Sequence, residues 1–428
     1  MSPVSRGRKS SKSTKSSKSS KSKKNKNKKR SGAAHRPADL WGAIPRPGWF
    51  DAATATVLAA AAELPSLPGP PELEDRVAQL IGRQLHQVIN SDQPVRFEWW
   101  FDELVAAATT EVHENPTDPG PWWLLNGLAS IATPPVASGV TAALKKLHAR
   151  IEQASPPTWL DQMSQISATG DVWQMRDAYG ARIAIITGFR YPVADIESVY
   201  LFDFDVCGLV RLADAGVYPD LTAAAEAWRG LVGLTAQDAK PEPVADPDAL
   251  ACLAYWETGE MHVMGTETRA VMDNWLRARR RADDLVAALE QRGILLPPSK
   301  PLFDDIDVDP AVDAFTKWYT ARHDHEPDGE VVGALAYQWL EGAMPGTENL
   351  ASPHRVTDQL NLISDWHPDD PVTIGARQLM PEWVRFHGEQ AGLADELIGR
   401  AVAVAAGGER ATTDCPAADQ ALRAIPPY

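Results

Sequence analysis

The stretch from residue 181 to residue 212 limits the fold more than any other part of this sequence. Ala181–Phe189 is rich in β-branched residues, Glu197–Phe204 is a second strand-like run, and Leu209–Leu212 continues as a third. Gly188, Pro192, Gly208 and Gly216 punctuate them. These connections are too short for helical crossovers, which favours antiparallel pairing over a parallel βαβ unit. The rest of the patterned sequence has helical spacing. The expected fold class is therefore α+β, predominantly helical, with a small antiparallel β-meander in the middle of the chain.

The helical segments are bounded mainly by proline. Asp51–Leu64 reads as a short helix with Asp51 as N-cap, and Pro65–Pro71 then breaks the chain. Glu72–Asn90 is amphipathic, with Leu73, Val77, Leu80, Ile81, Leu85 and Val88 at three-to-four spacing. Further helices are expected over Phe97–Val112, Trp122–Ile131, Val136–Ala154, Leu221–Val232, Leu250–Glu257 and Thr266–Arg292. Val312–Arg322, Glu330–Glu341, Arg355–Trp366, Ile374–Glu389 and Ala394–Ala406 complete the set. A chain of 428 residues fits two or three packed units. The expected divisions are a disordered basic tail (1–38), a helical region (39–158), a small sheet plus helix (170–235), an acidic Pro-rich linker (236–249) and a helical domain (250–428).

Charge is distributed unevenly. Between Met1 and Arg36 there are 14 Lys and Arg and no Asp or Glu; taking these 14 from the chain's 42 leaves 28 basic against 57 acidic residues. The chain is thus a cationic arm on an anionic body. An acidic body repels phosphate at long range, so any nucleic acid must be held largely by the arm. The residues expected to contact a polyanion are Lys12, Lys15, Lys18, Lys21, Lys23, Lys24, Lys26, Lys28, Lys29 and Arg30. Docking of the arm on its own acidic body, or on a protein partner, accounts for the same asymmetry.

Three widely separated cysteines, Cys207, Cys252 and Cys415, give no disulfide framework and no closely spaced zinc motif. No run approaches the ~20 apolar residues that span a bilayer, and no apolar segment directly follows the basic start. A cytoplasmic, non-membrane protein is the expectation.

Few constellations carry chemistry. Asp203 and Asp205, one residue apart at a strand end, have the spacing that a haloacid-dehalogenase-like phosphotransferase uses for its nucleophile and general acid. Cys207 stands where that motif has Thr or Val, and an antiparallel setting does not suit it. The plainer expectation is that both Asp side chains face solvent while Phe202, Phe204 and Val206 face the core. Asp305, Asp307 and Asp309 have calcium-loop spacing, but Pro310 and Thr316 stand where such a loop needs Gly and Glu. His323 and His325, with Asp328 after them, are the densest metal-ligand group, yet they follow a helix and suit a surface turn. His354, His367 and His387 are each isolated in the sequence. Arg277, Arg279, Arg280 and Arg281 are expected to make ion pairs. Most of the 15 tryptophans are expected in cores.

No cofactor and no resident metal are expected. The sequence thus points to a non-catalytic interaction or regulatory protein with a polyanion-binding tail. The alternative is a hydrolase with a site near Asp203 and Asp205, or near His323 and His325.

Overall fold

The computed structural model describes residues 45–91, 93–148, 157–191, 196–256, 268–298 and 306–408. The fold is predominantly helical around one antiparallel sheet, as the patterning requires. Among the described residues five helices come first: α1 (Trp49–Ala61), α2 (Pro70–Ile89), α3 (Phe97–Glu114), α4 (Gly120–Ile131) and α5 (Pro134–Leu147). The sheet strands are β1 (Ser167–Arg176), β2 (Arg182–Tyr191), β3 (Ile196–Asp205) and β4 (Arg211–Tyr218). Helix α6 (Leu221–Val232) and the two-residue β5 (Glu242–Pro243) follow, then α7 (Ala251–Tyr255) and the long α8 (Arg269–Gln291). The chain continues through α9 (Asp309–His323), α10 (Gly329–Leu340), α11 (Pro353–Ser364), α12 (Pro371–Gln390) and α13 (Asp395–Ala405).

The strand order is β4-β3-β2-β1-β5, and every neighbouring pair runs antiparallel. Strand β2 is buried at nearly every position because both sheet faces are covered. That explains its continuous apolar sequence, where a half-exposed strand would alternate. On one face, Ile183, Ile185, Phe202 and Phe204 meet Ala278, Ala282 and Leu285 of α8. On the other, Ala184, Ile186 and Leu201 meet Ala224, Ala225 and Trp228 of α6. The sequence pattern does not predict strand β1, because Gly170, Asp171 and a register shift between Ala168 and Val172 break its period. The run expected over Leu209–Leu212 belongs to β4, which starts at Arg211 and reaches Tyr218 because it pairs with Val199–Asp205 of β3.

Helix α8 serves two cores. Met272, Trp275 and Leu276 join the α1–α5 core, which includes Phe50, Leu73, Trp100 and Leu124. Its later turns cover the sheet. Helix α2 approaches it closely at Gly82, where a Cβ would lie 2.3 Å from the Met272 carbonyl oxygen. Three of the four arginines make the expected ion pairs: Arg277 with Asp75 of α2, Arg280 with Asp284, and Arg281 with Asp284 and with Glu74 of α2; Arg279 lies over the Trp275 ring instead. A separate C-terminal core joins Phe315, Trp339, Met380 and Trp383. Trp49, Trp100, Trp122, Trp123, Trp228, Trp256, Trp275, Trp339 and Trp383 are buried, while Trp99 is exposed.

Some helix starts differ from expectation. Helix α1 begins at Trp49 behind Gly48 with no side-chain cap, so Asp51 lies inside the first turn. Residues 236–249 are partly structured, since Glu242 and Pro243 pair with β1. Among the described residues no helix is long and apolar enough to cross a membrane.

Candidate active site

The end of β3 delivers Asp205 and, two residues on, Cys207. The start of α11 delivers Ser352, His354, Arg355 and Asp358. The sequence builds this second half from a strong helix-start signal: Ser352 is the N-cap and Pro353 occupies the first turn. The Ser352 hydroxyl accepts the Arg355 amide at 3.0 Å. That leaves its own hydrogen available to the Cys207 Sγ, 3.1 Å away. The turn between β1 and β2 supports the first half. The Val206 amide donates to the Ala181 carbonyl at 2.9 Å, and the Tyr179 and Ala181 side chains pack beside Cys207.

Asp205, Cys207 and His354 are all buried, and their oxygen, sulfur and nitrogen atoms lie within 4.8 Å of one another. The two carboxylate oxygens of Asp205 have different partners. Oδ1 accepts the Cys207 amide at 2.9 Å. Oδ2 accepts Arg211 Nη2 at 3.1 Å and lies 3.1 Å from His354 Nδ1. That last contact is close enough for charge attraction but lacks hydrogen-bond alignment, so Nδ1 is a buried nitrogen without a formed hydrogen bond. His354 Nε2 faces the Asp358 carboxylate at 3.7 Å, one helical turn on. Arg211 spans both carboxylates, reaching Asp358 at 3.4 Å.

The electrostatics follow from this packing. Burial pushes the Asp205 carboxyl upward, but the charges of His354 and Arg211 outweigh it and hold the group well below the ordinary range. Burial pushes His354 down, yet Asp205 and then Asp358 leave it above its ordinary value. Arg355 lies close enough to interact with the Cys207 charge; burial lowers it to about 10 while that charge opposes the fall. It donates to the carbonyls of Thr347 and Trp339 at 2.6 and 2.5 Å. A His354 nitrogen and an Asp205 oxygen lie within 4.8 Å of the sulfur, Arg211 and Arg355 interact with it electrostatically, and Tyr179 and Ala181 pack beside it. Arg211 and Asp358 are partly exposed, at 32% and 24%, so the cluster lies one side chain below the surface.

Asp203 is placed differently from Asp205. It is fully buried, accepts the Trp228 indole N–H at 2.9 Å and is paired with Arg182. The expectation that both aspartates face solvent is therefore corrected: both faces of the sheet are covered, and arginines balance the buried charge. The phosphotransferase spacing finds no parallel sheet here. Asp214 lies opposite Asp203 on β4; burial, with the Asp203 charge beside it, raises its carboxyl to about 6.

His323 and His325 do not join this cluster. They lie exposed at the turn after α9, where His323 stacks on Tyr319 and His325 Nδ1 lies 2.7 Å from the His323 carbonyl. Asp328 caps α10 there. Of the calcium-like triplet, Asp305 lies outside the described residues, and Asp307 accepts the Asp309 amide. The ten candidate polyanion contacts, Lys12 to Arg30, and Cys415 also lie outside them.

The group missed in the sequence is Cys207 with His354, whose surroundings are 145 positions apart at the Cys207–Ser352 contact. One local signal was present: a Ser-Pro helix start immediately before a histidine. The buried Asp205–Cys207–His354 cluster overturns the expectation of a purely non-catalytic interaction or regulatory protein. No family model, curated protein or solved structure matches the chain.

Proposed function

We propose that the protein is a hydrolase of acyl bonds that uses Cys207 as its nucleophile. The observation that carries this reading is the buried grouping of Cys207 with His354 and Asp205. Nucleophile, base and orienting carboxylate are the parts that thiol hydrolysis needs. Asp205 favours the charged form of His354, and in this reading the charges of His354, Arg211 and Arg355 stabilise the thiolate.

In the reaction, the thiolate attacks the carbonyl carbon of an ester, thioester or amide and forms a carbon–sulfur bond. The bond to the leaving group breaks as the tetrahedral adduct collapses, and the His354 imidazolium gives that group a proton. Neutral His354 then takes a proton from water as its oxygen attacks the acyl carbon. The carbon–sulfur bond breaks, the carboxylic acid leaves and the thiolate returns. Ser352 steadies the sulfur as a hydrogen-bond donor.

The test is iodoacetamide labelling of the full chain in a Cys415→Ser background, with hydrolysis of a panel of p-nitrophenyl acyl esters and acyl thioesters. Cys207 should label faster than a free peptide thiol at neutral pH, and Cys207→Ala should abolish hydrolysis. Labelling slower than a free thiol, with hydrolysis unchanged in Cys207→Ala, would refute the proposal.

The finer partner and compartment expectations are independent proposals. A polyanion such as nucleic acid, or a protein, as partner of the arm is supported by the charge of Lys12–Arg30. Cytoplasmic residence is supported by the sparse, widely separated cysteines.

A further inference from the structure

We infer that Asp205, Cys207 and His354 also form a binding site for a zinc-type divalent cation, and that the bound ion switches the thiol off. The switching part rests on the hydrolase reading; the binding part does not.

The donor set carries the argument. A thiolate, an imidazole and a carboxylate are the ligands that zinc takes, while magnesium and calcium prefer oxygen alone. Ligands on one tetrahedral zinc stand about 3.3–3.8 Å apart, given bonds of roughly 2.0–2.3 Å. His354 Nδ1 and Asp205 Oδ2 are already 3.1 Å apart, and the three donor atoms lie within 4.8 Å. Small side-chain rotations close the remainder.

Two further observations point to an ion. His354 Nδ1 is buried and faces the Asp205 carboxylate at 3.1 Å, so the two atoms already stand side by side as two ligands of one ion would. Its other nitrogen faces the Asp358 carboxylate. A metal-bound histidine characteristically gives its second N–H to such a carboxylate, which fixes the ring.

Ligation needs a thiolate and a neutral imidazole, so the ion displaces the one proton that the Cys207–His354 pair carries. The net charge of the buried cluster then rises by one, and the Asp205 and Asp358 carboxylates beside His354 offset it. Arg211 lies beside the site and opposes the ion, which favours an exchangeable ion over a permanent one. Because the ion takes the sulfur and the imidazole together, no thiolate remains for acyl transfer.

The test is titration of the full chain, in a Cys415→Ser background, with cobalt(II) and then with zinc against a chromophoric chelator. About one ion should bind per chain. Cobalt should give visible bands of a four-coordinate site and a near-ultraviolet thiolate charge-transfer band. Cys207→Ser should remove that charge-transfer band. Asp358→Asn, which leaves all three ligands in place, should keep the band and weaken binding about 10–100-fold. Cys252→Ser should change nothing. Absence of the band in the parent, or its survival in Cys207→Ser, overturns the metal site. Iodoacetamide labelling of the metal-free protein separates the two readings. A reactive Cys207 without a cobalt band leaves the hydrolase and removes the metal site. A cobalt band with an unreactive Cys207 does the reverse. Zinc should protect Cys207 from labelling, and binding without protection overturns the switch.

Discussion

Arg281 donates through Nη2 to both carboxylate oxygens of Glu74, at 2.6 and 2.7 Å, and neither side chain reaches solvent. The Tyr191 hydroxyl donates to the same carboxylate at 2.7 Å. Helix α2, helix α8 and strand β2 therefore meet on one buried charge. The residues around Glu74 on α2 belong to the helical core, whereas Tyr191 belongs to the sheet core. This ion pair locks one core to the other.

Breaking the pair should be costly. Glu74→Gln leaves the Arg281 charge buried without its counter-ion, and the expected loss is about 3–5 kcal/mol in urea unfolding. Replacing both partners by apolar residues, as in Glu74→Leu with Arg281→Met, should cost less than Glu74→Gln alone. The exposed pair Arg190–Glu197 is the control, and Glu197→Gln should cost about 0–1 kcal/mol. Similar losses at Glu74 and Glu197 would show that burial does not govern the cost.

Ser352 has two duties that substitution can separate. It caps α11 and contacts the Cys207 sulfur. Ser352→Ala should lose about 1 kcal/mol of stability, whereas Ser352→Gly should lose only a few tenths, because glycine is an acceptable N-cap. Both variants lack the hydroxyl, so both should slow iodoacetamide labelling of Cys207 to a similar extent. If labelling follows stability rather than the hydroxyl, Ser352 is a cap only.

The fold class was legible because the β-branched runs and the helical stripes differ in period, and because short connections forbid crossovers. Strand β1 was not legible, since Gly170, Asp171 and the bulge interrupt its alternation. The burial of Asp203 was hidden for a related reason. Alternation along β3 separates apolar from charged residues, which reads as one wet face. In the fold that face is covered by α6, and Arg182 supplies the charge that makes burial tolerable. The site was half legible. Asp205 stands out by its spacing, and Cys207 only as a departure from a motif. Its partner His354 comes from a distant helix start, and no local pattern encodes a contact across that separation. The most histidine-rich segment, His323–His325, is a surface turn because Asp324 adopts the left-handed conformation there, with φ 57°, and ends α9.

Asp177 gives a pH dependence of defined sign. Burial raises its carboxyl to about 6 from 3.8, against the lowering effect of hydrogen bonds from the amides of Arg182 and Ala181. Between those values the folded state binds a proton more tightly than the unfolded chain. The group's contribution to stability is therefore complete below 3.8 and is lost as pH rises through about 6. A difference of about two units corresponds to about 3 kcal/mol. Asp177→Asn removes the titration, so the stability of the variant relative to the parent should rise by up to about 3 kcal/mol from about pH 4 to about pH 8. Asp214, also raised to about 6, has the same sign in both proteins and cancels in the difference. A relative stability that is flat across this range would show that Asp177 does not titrate as its burial implies.

Two glycine-to-alanine changes should have opposite effects, although both positions are helical. At Gly82 the added methyl would lie 2.3 Å from the Met272 carbonyl oxygen and 2.4 Å from the Asp273 Cα. These are backbone atoms of α8, so no side-chain rotation relieves the overlap and the two helices must separate. That separation would also draw Arg281 away from Glu74. Gly82→Ala should cost at least about 1–3 kcal/mol, the usual range for overpacking. At Gly230 in α6 nothing lies within 4 Å of the added methyl. There alanine reduces the freedom of the unfolded chain and improves helix propensity, so Gly230→Ala should stabilise by about 0.4–1 kcal/mol. Urea unfolding of the two variants checks both signs. A neutral Gly82→Ala would mean that α2 and α8 can part at this point without loss, and that the Glu74–Arg281 pair tolerates movement its short contacts argue against.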